Sequence, residues 1–238
     1  PPPSPFVRDM ERITSSRAYR ITYIGVPLIV AGLVVQERDR GFRHLRNDYV
    51  PSFRLHYDDY LQYAPAALML GLKIGGVRGR SSWGRMLVSD AFSVALMAGA
   101  VNSLKYTCRM PRPDGSNNKS FPSGHTATAF MAGTMLSYEY GGRSPWYSIA
   151  GYSMATVTGV SRMLNNKHWL SDVLVGAGIG ILSVELGYLF ADLIFKDKGL
   201  TEFEQDFFYD RYCRPSFFGM EVSTEVVMGR YRPVLGGG

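Results

Sequence analysis

The chain has 238 residues, 46% of them hydrophobic and 19% charged, with a formal net charge of +6. This composition excludes a disordered chain, and two cysteines exclude a disulfide-stapled scaffold. The length suits one large domain, and the basic balance favours an anionic partner; no nucleic-acid motif accompanies it, so nucleic acid is not expected.

In chain order, Pro1-Pro-Pro-Ser-Pro does not begin with Met, which leads us to expect a preceding stretch such as a targeting segment. Phe6 to Arg20 reads as an amphipathic lead-in helix, and Ile21–Gln36 as an apolar helix without charge. Glu37–Asp59 interleaves Arg38, Arg40, Arg43, Arg46 and Arg54 with Phe42, Leu45, Tyr49, Phe53, Leu55 and Tyr57. Two readings of it stand level. It is either an interfacial stretch drawn to anionic headgroups or a loop whose arginines pair with Glu37, Asp39, Asp48, Asp58 and Asp59.

Further apolar segments follow at Tyr60–Leu72, Met86–Leu104, Thr126–Tyr138, Ser144–Ser161 and Val173–Phe195. Several fall short of the roughly 20 residues that cross a bilayer comfortably. Asp90 and Glu185 interrupt two of them. Gly176 and Gly180 stand four apart, a spacing that brings helices close in a membrane or in a soluble bundle. The tail from Thr201 is aromatic and mixed in charge, and we expect an interfacial helix and an extended piece there with a packing role.

Between the apolar segments lie the residues that carry chemistry. His125, one of four histidines, sits in Pro122-Ser123-Gly124-His125 just before an apolar run. Ser123 is the expected N-cap, which puts Gly124 and His125 over the free N–H groups that attract anions. Upstream, Lys105 and Arg112 supply a point charge and a planar fork for two oxygens. Ser161-Arg162 precedes His168, and Asp172 follows His168 at a spacing that puts both on one helix face. There the carboxylate fixes the imidazole tautomer and leaves the other nitrogen basic. Three cations, a helix start and two imidazoles suit a tetrahedral oxyanion. Arg109 and Lys119 read better as solvated surface charges. His44, His56 and the cysteines show no ligand spacing, so neither a metal nor another cofactor is expected.

The order Lys105, Arg112-Pro113, then Pro122-Ser123-Gly124-His125, then Ser161-Arg162, His168 and Asp172 resembles the tripartite signature of the type 2 phosphatidic acid phosphatase (PAP2) superfamily. The motifs span 105–113, 122–125 and 161–172, under a third of the chain, and every signature position is filled. Only eight residues separate Pro113 from Pro122, fewer than is usual, so a lid or selecting loop there must be minimal.

The resemblance implies that His168 attacks phosphorus and becomes a transient phosphohistidine, held by Asp172. His125 would protonate the leaving oxygen and then activate water. Lys105, Arg112, Arg162, the Ser123 hydroxyl and the Gly124 amide would stabilise the equatorial oxygens. Imidazole titrating near neutrality and a reaction that needs chiefly charge neutralisation are consistent with these roles.

The resemblance further implies an all-α, six-helix transmembrane bundle. It would be a single domain over 1–238, with 1–20 as lead-in, 21–195 as core and 196–238 as tail. The implied activity is metal-independent hydrolysis of a phosphomonoester or diphosphate on an amphiphile. Phosphatidic acid, phosphatidylglycerol phosphate, a polyprenyl diphosphate and lipid A phosphate are the candidate substrates. Membrane lipids are the expected surroundings, with no obligate protein partner. The rival readings are a soluble secreted acid phosphatase, a lipid phosphotransferase and, from its size a poorer fit, a vanadate-dependent haloperoxidase.

Six spans would put the loops after the first, third and fifth helices on one side, which brings all three motifs to one face. Arginine counts on the two sides tie under the positive-inside rule. Placement in a bacterial inner membrane with a periplasm-facing site therefore follows by analogy with bacterial members. Cys108 and Cys213 would face opposite sides, so no disulfide is expected.

Overall fold

The structure, a computed structural model, describes residues 16–196 and 198–200 together with Phe6, Ile13 and Thr14. The tail expected to form an interfacial helix, Cys213 and most of the lead-in lie outside the described residues. The helices are α1 (Arg17–Thr22), α2 (Gly25–Val35), α3 (Asp39–Tyr49), α4 (Asp58–Leu61), α5 (Ala64–Ile74), α6 (Trp83–Cys108), α7 (Gly124–Tyr140), α8 (Pro145–Leu164) and α9 (Leu170–Phe195). A single 3-10 turn, Gln36–Arg38, links α2 to α3. Among the described residues no strand forms; an isolated bridge joins Ser81 to Leu200.

The six apolar segments reappear as α2 and α5 to α9, with ends set by local chemistry. The Ile21–Gln36 run divides at Tyr23, where α1 ends, and resumes as α2. The fifth helix begins late, at Ala64, with Pro65 in its first turn, where a missing N–H loses no helical bond. Ser123 caps α7 by accepting the Thr126 N–H, and Ser144 caps α8 by accepting that of Trp146. At its far end α6 stops at Arg109, whose φ of 46° is left-handed and ends the helix.

The last helix, α9, is the central post, packed against α2, α6 and α7. Its small residues allow this. A Cβ on Gly176 would lie 2.6 Å from the Ser123 carbonyl oxygen, and one on Gly180 would meet the Ala127 carbonyl of α7. The four-residue spacing therefore does mark a backbone-to-backbone contact. Val175, Ile179 and Val184 of α9 join Ala127, Met131 and Met135 of α7 in the core.

Two helices, α6 and α9, are long and apolar enough to cross a membrane. Only 22% of the apolar window of α6 is buried against 67% for α9, so α6 turns most of its apolar surface outward. Exposed apolar side chains continue across Val30 and Val34, Leu87 and Val94, Val157 and Val160, and Leu193 and Ile194. Such a belt is what a lipid-facing surface requires and what a soluble monomer avoids.

The acids that interrupt two segments are hydrogen-bonded inside. Tyr188 donates to Asp90 at 3.3 Å, and Tyr138 donates to Glu185. Arg80 and Arg85 are buried and both pair with Asp192. Two arginines from the terminal side are thus structural and do not act as free topology signals.

Candidate active site

The polypeptide enters α9 through a tight cap. Asp172 is the third residue of the helix, and its Oδ2 accepts the backbone N–H of Trp169 at 2.9 Å. The same oxygen lies 3.4 Å from His168 Nδ1 and accepts the Ser120 hydroxyl. Ser123 N–H donates to the Asp172 carbonyl at 3.0 Å, which joins the second motif to the third. The expected His168–Asp172 pair therefore exists, but not on one helix face. Because α9 begins only at Leu170, His168 lies in the loop before it, and the cap carboxylate reaches back to the ring.

His168 and Asp172 are both fully enclosed, at 3% and 0% exposure. Burial lowers the His168 pKa to about 4; the Asp172 hydrogen bond and charge oppose the shift, and the charges of Lys105 and Arg112 add to it. At neutral pH the imidazole is uncharged, the state a nucleophile needs.

Across the site, His125 Nε2 lies 2.8 Å from Asp59 Oδ1. Arg162 is buried and donates from one terminal nitrogen to Asp58 at 2.8 Å and to Asp59 at 3.3 Å. Asn165 donates to the other oxygen of Asp58 at 3.2 Å. Burial and the Arg162 charge lower the pKa of His125, and the Asp59 hydrogen bond with the Asp59 and Asp58 charges opposes them.

Lys105 stands close to Arg112, Arg162 and Asp172. Its Nζ donates to the Lys119 carbonyl at 3.0 Å, and its Cε lies 3.8 Å from where a Gly124 Cβ would stand. A Cβ at position 124 would sit in ordinary van der Waals contact with it. The short loop to Pro122 folds back at once, with Arg112 N–H donating to the Asn117 carbonyl at 2.9 Å. Trp169 pins that loop by donating from its indole to the Pro111 carbonyl at 2.9 Å. The Nε atoms of Arg112 and Arg162 and Oδ1 of Asp172 are buried without a partner among the described residues. Ser123 Oγ, wholly buried, lies 2.8 Å from Thr126 Oγ1 as part of the cap.

Every residue expected from the motifs thus comes to one end of the bundle, and three that were not expected join them. These are Ser120, which orients Asp172, together with Asp58 and Asp59, which hold Arg162 and His125. A signal for the last two was their place directly before an apolar helix, where charged side chains turn to the bundle end. The reading of Glu37–Asp59 as a self-paired loop is corrected: its arginines form no ion pair among the described residues. Asp58 and Asp59 instead hold Arg162 and His125, and Asp39 accepts from the backbone and hydroxyl of Ser171. Cys108 is exposed and unpaired within the described residues.

Residues 87–195 match the sequence model of the PAP2 superfamily. The match takes in 109 of the 238 residues. It carries all three motifs in the geometry described above. A lipid A 1-phosphatase of Porphyromonas gingivalis is 51% identical over 173 residues, which cover 72% of this chain and 39% of that protein. The chain therefore spans about two-fifths of the length of this relative. Among solved structures, that of Aquifex aeolicus LpxE resembles the chain with a TM-score of 0.47 at 24% identity, covering 60% of this chain and 92% of its own. A transmembrane PAP2-type phosphatidylglycerolphosphate phosphatase from Bacillus subtilis gives a TM-score of 0.45 at 18% identity, covering 74% of this chain and all of its own.

Proposed function

We propose that this protein is a membrane lipid phosphatase that works through a phosphohistidine. The observation that carries the reading is the uncharged His168, held at Asp172, facing a cluster of Lys105, Arg112 and Arg162 with His125 opposite. His168 Nδ1–H donates to Asp172, and the Nε2 lone pair attacks phosphorus. The P–O ester bond breaks, and the leaving alkoxide takes a proton from protonated His125. Water then gives a proton to His125 and attacks phosphorus, the P–N bond breaks, and phosphate leaves with His168 neutral again. Lys105, Arg112, Arg162 and the Gly124 amide neutralise the oxygens throughout, with the Ser123 hydroxyl fixing the cap that aims that amide.

The exposed apolar belt supports a bilayer setting; six spans, a bacterial inner membrane and a periplasm-facing site rest on the resemblance to bacterial family members. The name of the 51% identical relative supports the lipid A 1-phosphate as the first substrate to try. Phosphatidic acid, phosphatidylglycerol phosphate and a polyprenyl diphosphate are the comparators. A phosphate-release assay in detergent micelles over these lipids, with chelator present, tests the reading. Wild-type turnover that His168→Ala abolishes supports it; inactivity on every phosphate ester, or a metal requirement, overturns it.

A further inference from the structure

Arg46, Arg54 and His56, from the segment between α2 and α4, meet Asp114, Arg162 and Lys167 around a cavity of about 390 Å³. That size falls within the range of small-molecule sites. Its wall carries four permanent cations and one carboxylate. Lys167 and Asp114 pair at 2.7 Å and cancel. Arg46 donates to the Leu164 carbonyl at 2.8 Å, the Phe53 carbonyl at 3.2 Å and the Asn47 side chain at 2.9 Å, all neutral acceptors, so its charge stands uncompensated. Arg54 is exposed and makes no hydrogen bond or ion pair among the described residues. Arg162 is held by Asp58 and Asp59, although its buried Nε has no partner among the described residues, so the uncompensated charge of the wall is that of Arg46 and Arg54. A buried or half-enclosed wall with this excess of positive charge favours an anion.

The cavity adjoins the reaction centre without being it. It shares Arg162 with the catalytic cluster, and Lys167 is the neighbour of His168, yet neither histidine of the site nor Lys105 or Arg112 lines it. We infer that this cavity is a second anion subsite, which takes a phosphate-class group lying beside the phosphate that is cleaved. The inference rests on the phosphatase reading for its meaning and narrows the substrate to one presented with a second anion. That anion is carried either by the substrate molecule itself or by the headgroup of a neighbouring acidic lipid.

The test uses the full protein in neutral detergent with two amphiphiles of the same acyl chains, one bearing a single phosphate and one bearing a second. Wild type should prefer the bisphosphoryl form in kcat/KM by about tenfold, the scale of a hydrogen bond to a charged group. Arg54→Ala should erase the preference and Arg54→Lys should retain it. If the anion belongs to a neighbouring lipid, phosphatidylglycerol added to the micelles should raise turnover of the monophosphoryl form, and Arg54→Ala should remove that rise. Equal losses on both substrates in Arg54→Ala, or a wild type indifferent to both second anions, overturns the inference. A titration with inorganic phosphate reads the subsite without turnover: two sites are expected in the wild type and one in Arg54→Ala. One site in the wild type overturns the subsite; two sites in a protein that hydrolyses none of the lipids sustain it and instead overturn the phosphatase reading.

Discussion

His125 Nε2 stands 2.8 Å from Asp59 Oδ1, and Arg162 reaches the same carboxylate oxygen at 3.3 Å. One acid thus touches both the proposed proton donor and a cation proposed to bind the phosphate. Burial and Arg162 hold His125 below its ordinary pKa, and Asp59 works against them. Asp59→Asn removes that opposition, so the His125 pKa falls further and less imidazolium is present at a given pH. The alkaline limb of the kcat/KM profile, set by loss of the acid form, should then move to lower pH. The pH–rate profile of the variant checks this; an unmoved limb would mean that Asp59 serves only to fasten Arg162.

Ser120 donates to the same Asp172 oxygen that faces His168, and both residues are wholly buried. Replacing it with alanine leaves a buried carboxylate short of one donor, a loss of roughly 1–3 kcal/mol or about 5- to 160-fold in rate. Ser120→Ala should lower kcat within that range and leave KM nearly unchanged, because Ser120 touches Asp172 and not the anion-binding wall. Steady-state kinetics on a single lipid separates the two parameters.

The buried His168 also makes stability depend on pH. Its folded pKa of about 4 lies below the ordinary histidine value near 6.5, so between these the unfolded chain binds the proton first. Its contribution is therefore fully present above pH 6.5 and is lost as pH falls through the folded pKa. The span amounts to on the order of 3 kcal/mol. His168→Gln should flatten this part of the acid response. Thermal unfolding in detergent at pH 7 and pH 5 should show a smaller drop in Tm for the variant than for the wild type.

Gly176 and Gly99 make a matched pair for the packing argument. A Cβ at Gly176 would lie 2.6 Å from the Ser123 carbonyl, whereas one at Gly99 would meet nothing within 4 Å. Gly176→Ala should cost about 1–3 kcal/mol of stability through overpacking. It should also lower activity, since the displaced backbone is the cap that carries Gly124 and His125. Gly99→Ala should be neutral or slightly stabilising, because alanine is the better helix former. Melting curves of the two variants make the comparison.

The legible parts of the sequence were those fixed by local chemistry. Ser123 before an apolar run marked a helix start, uncharged stretches marked helices, and the motif residues declared a phosphate site by their types and order. The contacts that complete the site were not legible, because they are non-local. Asp59 lies 66 positions from His125 and Ser120 lies 52 from Asp172, and no periodicity records such meetings. The spacing of His168 and Asp172 suits a shared helix face, but spacing alone does not say where a helix begins. The start at Leu170 turned that pairing into a capping contact.

The central claim is that His168 carries the phosphoryl group between two displacements. Its most direct test is the stereochemical course at phosphorus, measured with a substrate made chiral by oxygen isotopes and sulfur. Two in-line steps through His168 invert the centre twice and give net retention. Net inversion would show that water attacks the ester directly, and would contradict a phosphohistidine at His168.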